Sequence, residues 1–326
     1  MKLVKIIKTG LIFSVLFNTL LAHANGEAPI KILVGFAAGG VTDIVARLFA
    51  DKLRVEFNEP VIVENKPGAG SRLANQALKA SPPDGKTFLI SPNSGPVFLD
   101  ILYPRSVLGY DLLTDLTPVA ALTTYPLGMV VQRSMGVNNA REYVAWAKAH
   151  PKEAVFGSAG AGSHTHFAGM KLAQAAQINL QVVPYRGNGL INIDLLGGQL
   201  PAAIMAASDF MKHKDDPSLR IIGIFGERRS PLAPDVPTFT EQGIKATAGD
   251  AWIGMWTSAK APQAEIDRMQ RALQKILAEP EFKQKLESKL TMTPFFRSAA
   301  DMKKLQRAEL DMWRPVIKQS GFSPDQ

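Results

Sequence analysis

Two glycine-rich segments are the parts of this sequence whose residue types and spacing could do chemistry. The first is V-G-F-A-A-G-G-V-T-D at residues 34–43, and the second is F-G-S-A-G-A-G-S-H-T-H at residues 156–166. Each lies between an apolar run typical of a strand and a stretch typical of a helix. Such a turn exposes backbone N–H groups at a helix N-terminus, where the helix dipole also favours an anion. Both segments are therefore candidates for binding an anionic group.

Side chains within these segments could add contacts of their own. Ser158, Ser163 and Thr165 carry hydroxyl donors. Asp43 stands three residues after Gly40, where an acid stabilises the helix N-terminus. Its alternative role is a ligand contact, through its backbone or an ordered water. A tight turn without a ligand is the simpler interpretation of either segment alone, but the presence of one in each half of the chain favours binding.

Motifs for nucleotides, hydrolysis and metals are missing from the sequence. No lysine follows either glycine cluster as in G-x-x-x-x-G-K-[ST], and the first segment does not fit G-x-G-x-x-G. Neither Ser158 nor Ser163 stands in a G-x-S-x-G turn. His164 and His166 diverge at a helix start without a neighbouring ligand motif, and the chain has no cysteine. We expect no metal site, no cofactor and no disulfide.

Length and charge suit a protein of two lobes that binds small anions rather than nucleic acid. The 326 residues are enough for two lobes of ordinary size. The formal charge is +8, and three of these charges belong to lysines within the first eight residues. No run of basic residues and no basic stripe interleaved with aromatics occurs, so we expect no nucleic-acid partner. A modest positive charge can raise the local concentration of anionic solutes.

The N-terminus has the three parts of a secretory signal peptide. Residues 1–8 are basic, residues 11–21 are apolar, and Ala22-His23-Ala24 is a small-x-small cleavage site. We therefore expect a signal peptide over residues 1–24 and a mature protein in the periplasm. An uncleaved N-terminal anchor is the alternative, although the apolar run is too short to span a membrane well.

Short apolar runs and helical stretches alternate along the rest of the chain. Strands are predicted at residues 30–36, 61–63, 87–90, 129–131, 155–157, 181–183, 202–205, 220–225 and 252–257. Helices are predicted at residues 41–57, 72–80, 140–150, 165–176, 263–277, 280–289 and 299–319. This alternation predicts an α/β fold of mostly parallel sheets flanked by helices.

The alternation occurs in two blocks, and the strand after residue 250 fits best if the chain returns to the first block. We therefore predict two lobes, one of residues 25–127 with 251–326 and one of residues 128–250. Ligands of open α/β sheets sit beyond the carboxyl ends of the strands. Two facing lobes of this kind put the ligand in the cleft between them.

Seven segments, in order, resemble those of one known family. They are residues 34–43, V-I-V-E-N-K-P-G-A-G at 61–70, P-D-G-K-T at 83–87, residues 157–166, P-Y-R-G at 184–187, L-L-G-G-Q at 195–199, and R-S-P to D-V-P-T within 229–238. From Ile30 to about Gly321 the sequence is similar to the extracytoplasmic solute receptors of tripartite tricarboxylate transporters, the Bug-type receptors. One such segment would be weak support, whereas seven in order are specific.

The resemblance implies a type II-like periplasmic binding protein: a monomer without catalytic activity that holds a small organic acid between its lobes. The two glycine loops would hold a carboxylate, partly through ordered water. Carried over by position, the expected ligand contacts are Phe36, Gly39, Gly40, Thr42, Asp43, Ser158, Gly162, Ser163, His164 and Tyr185. The implied partner is a membrane permease of one large and one small subunit.

Departures from the family pattern bear on the ligand. The stretch that often carries an Asp is P-A-A-I-M-A-A at residues 201–207, where Met205 could form a soft apolar wall. Asp209 follows as a possible helix cap, and Arg186 could pair with a second carboxylate or lie solvated on the surface. We therefore expect the ligand to be an organic acid without an amino group, either a dicarboxylate or an apolar or aromatic monocarboxylate.

Two other functions fit parts of the sequence. A sensor that presents its ligand to a membrane kinase would share the fold and the site. An enzyme acting on a small carboxylate would use Asp43, His164 or His166, and would need a nucleophile within hydrogen-bond reach of a base.

Overall fold

The fold alternates strands and helices in a computed structural model that describes residues 28–322 except 186, 232, 247 and 320. The strands are β1 (Ile30–Val34), β2 (Val61–Asn65), β3 (Thr87–Pro92), β4 (Leu116–Tyr125), β5 (Leu127–Gln132), β6 (Val155–Ser158), β7 (Gln181–Pro184), β8 (Ala202–Ala206), β9 (Leu219–Ile224), β10 (Ala251–Ser258) and β11 (Thr293–Arg297). The helices are α1 (Val41–Phe57), α2 (Arg72–Lys79), α3 (Leu99–Leu102), α4 (Arg105–Leu108), α5 (Ala140–Ala149), α6 (His164–Ala176), α7 (Asn188–Leu196), α8 (Ala207–Phe210), α9 (Gln263–Ala278), α10 (Pro280–Leu290) and α11 (Ala299–Gln319). The predicted signal peptide and Arg186 lie outside the described residues.

The strands form two sheets with the same internal order. The first sheet is ordered β2-β1-β3-β10-β4 with β11 added at the far edge, and the second is ordered β7-β6-β8-β5-β9. In both sheets the first three strands of this order pair in parallel, and the last two pair antiparallel. Strand β1 thus has its structural counterpart in β6, and β10 has its counterpart in β5.

The sheets are mixed rather than mostly parallel as predicted, because each receives a strand that arrives from the other. The chain leaves the first sheet after Tyr125 and enters the second at Leu127, and it returns at Ala251. Ala251 pairs with Tyr125, so the two crossings run side by side. A strand that enters from the opposite lobe is antiparallel to the strands of the local βαβ units. The hydrophobic pattern of the sequence does not reveal strand direction.

Helix α1 illustrates how the sequence sets these elements. Val45, Phe49 and Leu53 recur every four residues, have no exposed surface, and pack against the first sheet. The helix ends at Asn58, which adopts the left-handed conformation at φ 52°. Burial of this stripe fixes the helix on the sheet and thereby fixes the loop that precedes it.

Helix α11 connects the two lobes. Its Trp313 is fully buried, with ring centroids 5.2 Å from Phe98 beside the first sheet and 5.4 Å from His164 at the start of α6. One apolar core consequently continues from one lobe into the other. No helix in the described part of the chain is long and apolar enough to cross a membrane.

Candidate functional site

The two glycine loops occupy equivalent places in the two sheets. Residues 35–40 follow β1 and lead into α1, and residues 159–163 follow β6 and lead into α6. Both strands are second from the edge of their sheet. Each loop therefore lies at the carboxyl end of an interior parallel strand, the usual position of a ligand in this kind of sheet.

The first loop is held by side chains below it. The Asp43 carboxylate accepts the Gly39 N–H at 2.8 Å and the Asn65 amide at 2.9 Å. Arg47 donates its Nε–H to the same carboxylate at 2.9 Å. Gly39 has φ +79°, a conformation that favours glycine, and residues 37–40 are exposed. Asp43 therefore shapes the loop with its side chain, which is only 2% exposed.

Asp43 is ionised at every physiological pH. Burial alone would raise its pKa, but the hydrogen bonds from Arg47, Gly39 and Asn65, together with the Arg47 charge, lower the pKa to about 2. A carboxylate with so low a pKa is a poor general base, because the best base has a pKa near the working pH.

The first turn of α1 offers the free donors of this loop. In the described residues the N–H groups of Val41 and Thr42 donate no hydrogen bond, as expected for the first turn of a helix. The side chains of Val41 and Ile44 are 39% and 38% exposed beside them, and Phe36 is half-buried. Unpaired donors next to apolar surface suit an acid with an apolar body.

Hydroxyl side chains stabilise the second loop through hydrogen bonds within it. Ser163 caps α6, because its Oγ accepts the His166 N–H at 3.2 Å. Thr165 Oγ1 accepts the Ala159 N–H at 3.1 Å and lies 2.9 Å from Ser163 Oγ. These two hydroxyls hold the two ends of the loop together rather than reaching out as ligand donors.

Ser158 also forms its hydrogen bond within the loop. Its hydroxyl donates to the Gly160 carbonyl oxygen at 3.2 Å, and the residue has no exposed surface. The Gly162 N–H donates to His166 Nδ1 at 3.0 Å. The free donors of this loop are therefore backbone groups: in the described residues, the N–H groups of Gly160, Ala161, His164 and Thr165 have no acceptor. Of these residues, Gly160 and Ala161 were not named from the sequence.

The two histidines of this segment are structural. His164 places Nε2 3.2 Å from the Ala248 carbonyl oxygen, and its Nδ1 is buried without a partner in the described residues. Burial, aided by the nearby Lys171 charge, lowers the pKa of His164 to about 4 against the opposing hydrogen bond to Ala248. Burial also lowers the pKa of His166 to about 4. Both rings are neutral at pH 7, so neither supplies a positive charge to an anionic ligand.

Tyr185 and Met205 differ in their relation to the cleft. Tyr185 follows β7, is half-buried, and donates its hydroxyl to Asp194 at 2.7 Å. Met205 has no exposed surface and packs in the core of the second lobe. Strand alternation sends Ile204 and Met205 into cores on opposite faces of the sheet, so the structure places Met205 in a core rather than on an exposed surface. The apolar wall expected at Met205 stays a prediction.

Groups that could catalyse a reaction are not paired in this site. The imidazole of His166 receives a backbone N–H, and that of His164 meets a backbone carbonyl. Neither ring contacts a hydroxyl nucleophile in the described residues. The same part of the chain contains no group of three or more acidic or histidine side chains that could hold a metal ion. A cavity of about 520 Å³ beside Lys79, Asp115 and Lys260 contains none of the predicted site residues. The geometry favours binding through backbone donors.

Comparison with known families agrees with this geometry. Residues 45–322 match the tripartite tricarboxylate transporter family receptor. The chain belongs to this family. The resemblance inferred from seven short segments is thereby confirmed, and the family is one of periplasmic solute-binding receptors.

Relatives resemble the receptor over nearly its whole length. Protein BugT of Bordetella pertussis is 28% identical over 295 residues, which are 90% of this chain and 89% of BugT. The periplasmic binding protein BugD has a TM-score of 0.77 at 27% identity and covers 91% of this chain and 99% of its own. MatC from Rhodopseudomonas palustris with bound malate has a TM-score of 0.76 at 25% identity and covers 89% and 98%. The predicted two-lobed α/β fold is confirmed.

Proposed function

We propose that this chain is a receptor that binds a small organic carboxylate between its lobes and releases it unchanged. One observation carries the proposal: each of two equivalent loops ends at a helix N-terminus with unpaired backbone N–H groups. Helix N-termini attract anions through these donors and through the helix dipole. Two such sites, one in each lobe, suit the two oxygen atoms of a carboxylate.

The proposed contacts divide into donors and supports. The donors that face the ligand, directly or through ordered water, are the unpaired backbone N–H groups of Val41, Thr42, Gly160, Ala161, His164 and Thr165. The supports are side chains that stabilise these loops by hydrogen bonds to the backbone. They are the side chains of Asp43, Ser158, Ser163 and His164. Phe36 and Tyr185 are proposed to border the cleft.

The acids near the two loops already accept hydrogen bonds from protein donors, and we propose a ligand without an ammonium group. Asp43 accepts from Gly39, Arg47 and Asn65. Asp194 accepts from Tyr185, and Asp209 is bound by Asn188 and by Lys212. The ammonium of an amino acid would need a free acceptor, because an unpaired buried charge is costly. A plain acid avoids this need, and the malate bound to MatC supports the same ligand class.

A thermal-shift experiment tests the proposal. A ligand present at about 100 times its Kd adds about 2.7 kcal/mol to the free energy of unfolding, which moves the melting temperature visibly. We expect at least one small carboxylate to raise the melting temperature without being consumed. Turnover of a compound, in the absence of a shift with any carboxylate, would show that the receptor assignment is wrong.

Export and transport complete the proposal. The chain would be cleaved after Ala24, fold in the periplasm as a monomer with lobes of residues 25–127 with 251–326 and 128–250, and deliver its ligand to a two-subunit permease. The make-up of the two sheets supports the division into these lobes, and the family match supports the transporter partner. Sequencing the N-terminus of protein taken from the host periplasm tests the export step, and a full-length cytoplasmic product would rule it out.

A further inference from the structure

A side-chain bridge beneath the first glycine loop has its centre at Asn65, the last residue of β2. The Asn65 amide donates to the Phe36 carbonyl at 3.1 Å and to Asp43 Oδ1 at 2.9 Å. Its carbonyl oxygen accepts from Arg47 at 3.2 Å. Because Asp43 also binds the Gly39 N–H, the bridge joins the start of the loop to its end.

Asn65 has no donor left for a ligand. A side-chain amide carries two N–H donors, and both are used within the bridge. The opposite orientation of the amide would set its oxygen against the Phe36 carbonyl and the Asp43 carboxylate, two acceptors that repel it. The surroundings therefore require an amide N–H₂ at this point.

Strand pairing explains why Asn65 is in reach of the loop. Asn65 pairs with Val34 in the parallel β1–β2 ladder, one residue before the loop begins. The Lys66 N–H donates to the Val34 carbonyl at 2.8 Å and continues that ladder. Backbone hydrogen bonds thus fix the end of β2 under the loop. They position the Asn65 side chain without using the exposed residues of the loop.

We propose that Asn65 is a positioning residue for the ligand carboxylate, an inference that rests on the receptor function proposed above. It fixes the loop so that the unpaired N–H groups of Val41 and Thr42 face the cleft, and it touches the ligand nowhere. Arg47 assists by neutralising Asp43, whose negative charge would otherwise repel a bound carboxylate.

The isosteric substitution Asn65→Asp tests this role. It replaces the donor with an acceptor that faces Asp43 and Phe36, so the bridge becomes repulsive while the side-chain volume is kept. At pH 8 we expect the Kd for a carboxylate ligand such as malate to rise about tenfold or more, as for a lost charge-assisted hydrogen bond. We expect Asn65→Ala, which adds no charge, to weaken binding in the same direction.

A pH series separates positioning from a general loss of structure. Repulsion by Asp43 raises the pKa of the introduced carboxyl, which can then take up a proton and donate an O–H to Asp43. The ratio of variant to wild-type Kd should therefore shrink from pH 8 to pH 5. Asp43 itself stays ionised throughout, because its pKa is about 2.

Asn58→Asp is the matched control. It makes the same change in charge at an exposed residue with φ 52°, a conformation that Asp also accepts. It lies at the far end of α1, about 25 Å from the loop for 17 residues of helix. We expect its Kd to stay within about twofold of wild type, because that distance exceeds the Debye length at physiological salt.

The outcomes distinguish the two proposals. If the wild type binds acids and both Asn65 variants match the control at every pH, the positioning role is wrong and the receptor function stands. If the wild type binds none of the acids tested, the receptor function is wrong and the positioning role falls with it. Should Asn65→Asp not fold by circular dichroism, the Kd of Asn65→Ala alone decides.

Discussion

At the scale of single residues, glycines give the loops their shape and small polar side chains hold it. Residue types in the sequence identified both loops, but they did not show which polar groups face the ligand. Ser158 and Ser163 looked like donors, yet each is bonded within its own loop. Hydroxyl groups rotate and bond to the nearest backbone group, so their partners depend on geometry that the sequence does not contain.

The substitution Gly40→Val tests close approach of the ligand with little backbone strain. Gly40 has φ −73°, and an added Cβ meets only the Ala37 carbonyl oxygen at 3.3 Å. We expect the fold to persist and the Kd for a carboxylate to rise about tenfold or more, since a branched side chain would cover the N–H groups of Val41 and Thr42. Calorimetric titration and a melting curve measure both quantities, and near-normal affinity would contradict the proposed site.

Gly162 is less suited to this test. It has φ +72°, and an added Cβ would lie 3.1 Å from Leu102 of the other lobe. Gly162→Val therefore strains the backbone by about 1–2 kcal/mol and disturbs the contact between lobes, whatever happens to the ligand. A loss of binding there would carry less information than the same loss at Gly40.

At the scale of elements, a buried acid joins β3, β10 and α11. Glu309 on α11 accepts from Trp252 of β10 at 2.7 Å and from Asn93, which follows β3, at 3.0 Å. Burial raises the pKa of Glu309 to about 7, and the two hydrogen bonds only partly offset this. When protonated, its O–H can donate to Asn93 Oδ1 after an amide rotation, and this oxygen has no partner in the described residues.

Glu309 should make stability depend on pH. Because its pKa of about 7 in the folded protein exceeds the ordinary glutamate pKa of 4.5, its contribution to stability is complete below pH 4.5 and is lost as the pH rises through 7. The difference between these two pKa values lowers the free energy of unfolding by about 3 kcal/mol at high pH. We expect Glu309→Gln to unfold at higher denaturant concentration than wild type at pH 8, and to lose this advantage at pH 5.

Urea unfolding at the two pH values measures this effect. Glu287→Gln on the exposed face of α10 serves as the control, and it should follow the wild type at both pH values. An equal shift at pH 5 and pH 8 for Glu309→Gln would mean that the carboxyl does not titrate in this range.

Elements with strong periodicity could be predicted from the sequence, and those without it could not. Helix α1 was predicted with its observed bounds because its apolar stripe and flanking glycines are unambiguous. Strand β4 was missed because Leu116–Tyr125 is buried on both faces, includes a proline and shows no alternation. Helix α7 was missed because Asn188–Leu196 is apolar around most of its circumference.

At the scale of the whole molecule, two crossings and one helix connect the lobes. The crossings at Pro126 and before Ala251 lie side by side and connect the two sheets. Helix α11 reaches across to α6, where Phe322 stacks edge-on against His166 at 5.0 Å. Pairing between distant segments of this kind is set by tertiary packing, so the sequence predicted two lobes but not the mixed sheets or the contact of α11 with the second loop.

The most direct test of the central claim is a calorimetric titration of the purified mature protein. Malate, adipate and benzoate would be titrated beside aspartate and glutamate, with each ligand recovered afterwards to check for conversion. We expect at least one plain acid to bind, with one molecule per chain, and to be recovered unchanged. Tight binding of an amino acid alone would correct the ligand class, whereas conversion of a compound without binding of any acid would contradict the receptor assignment itself.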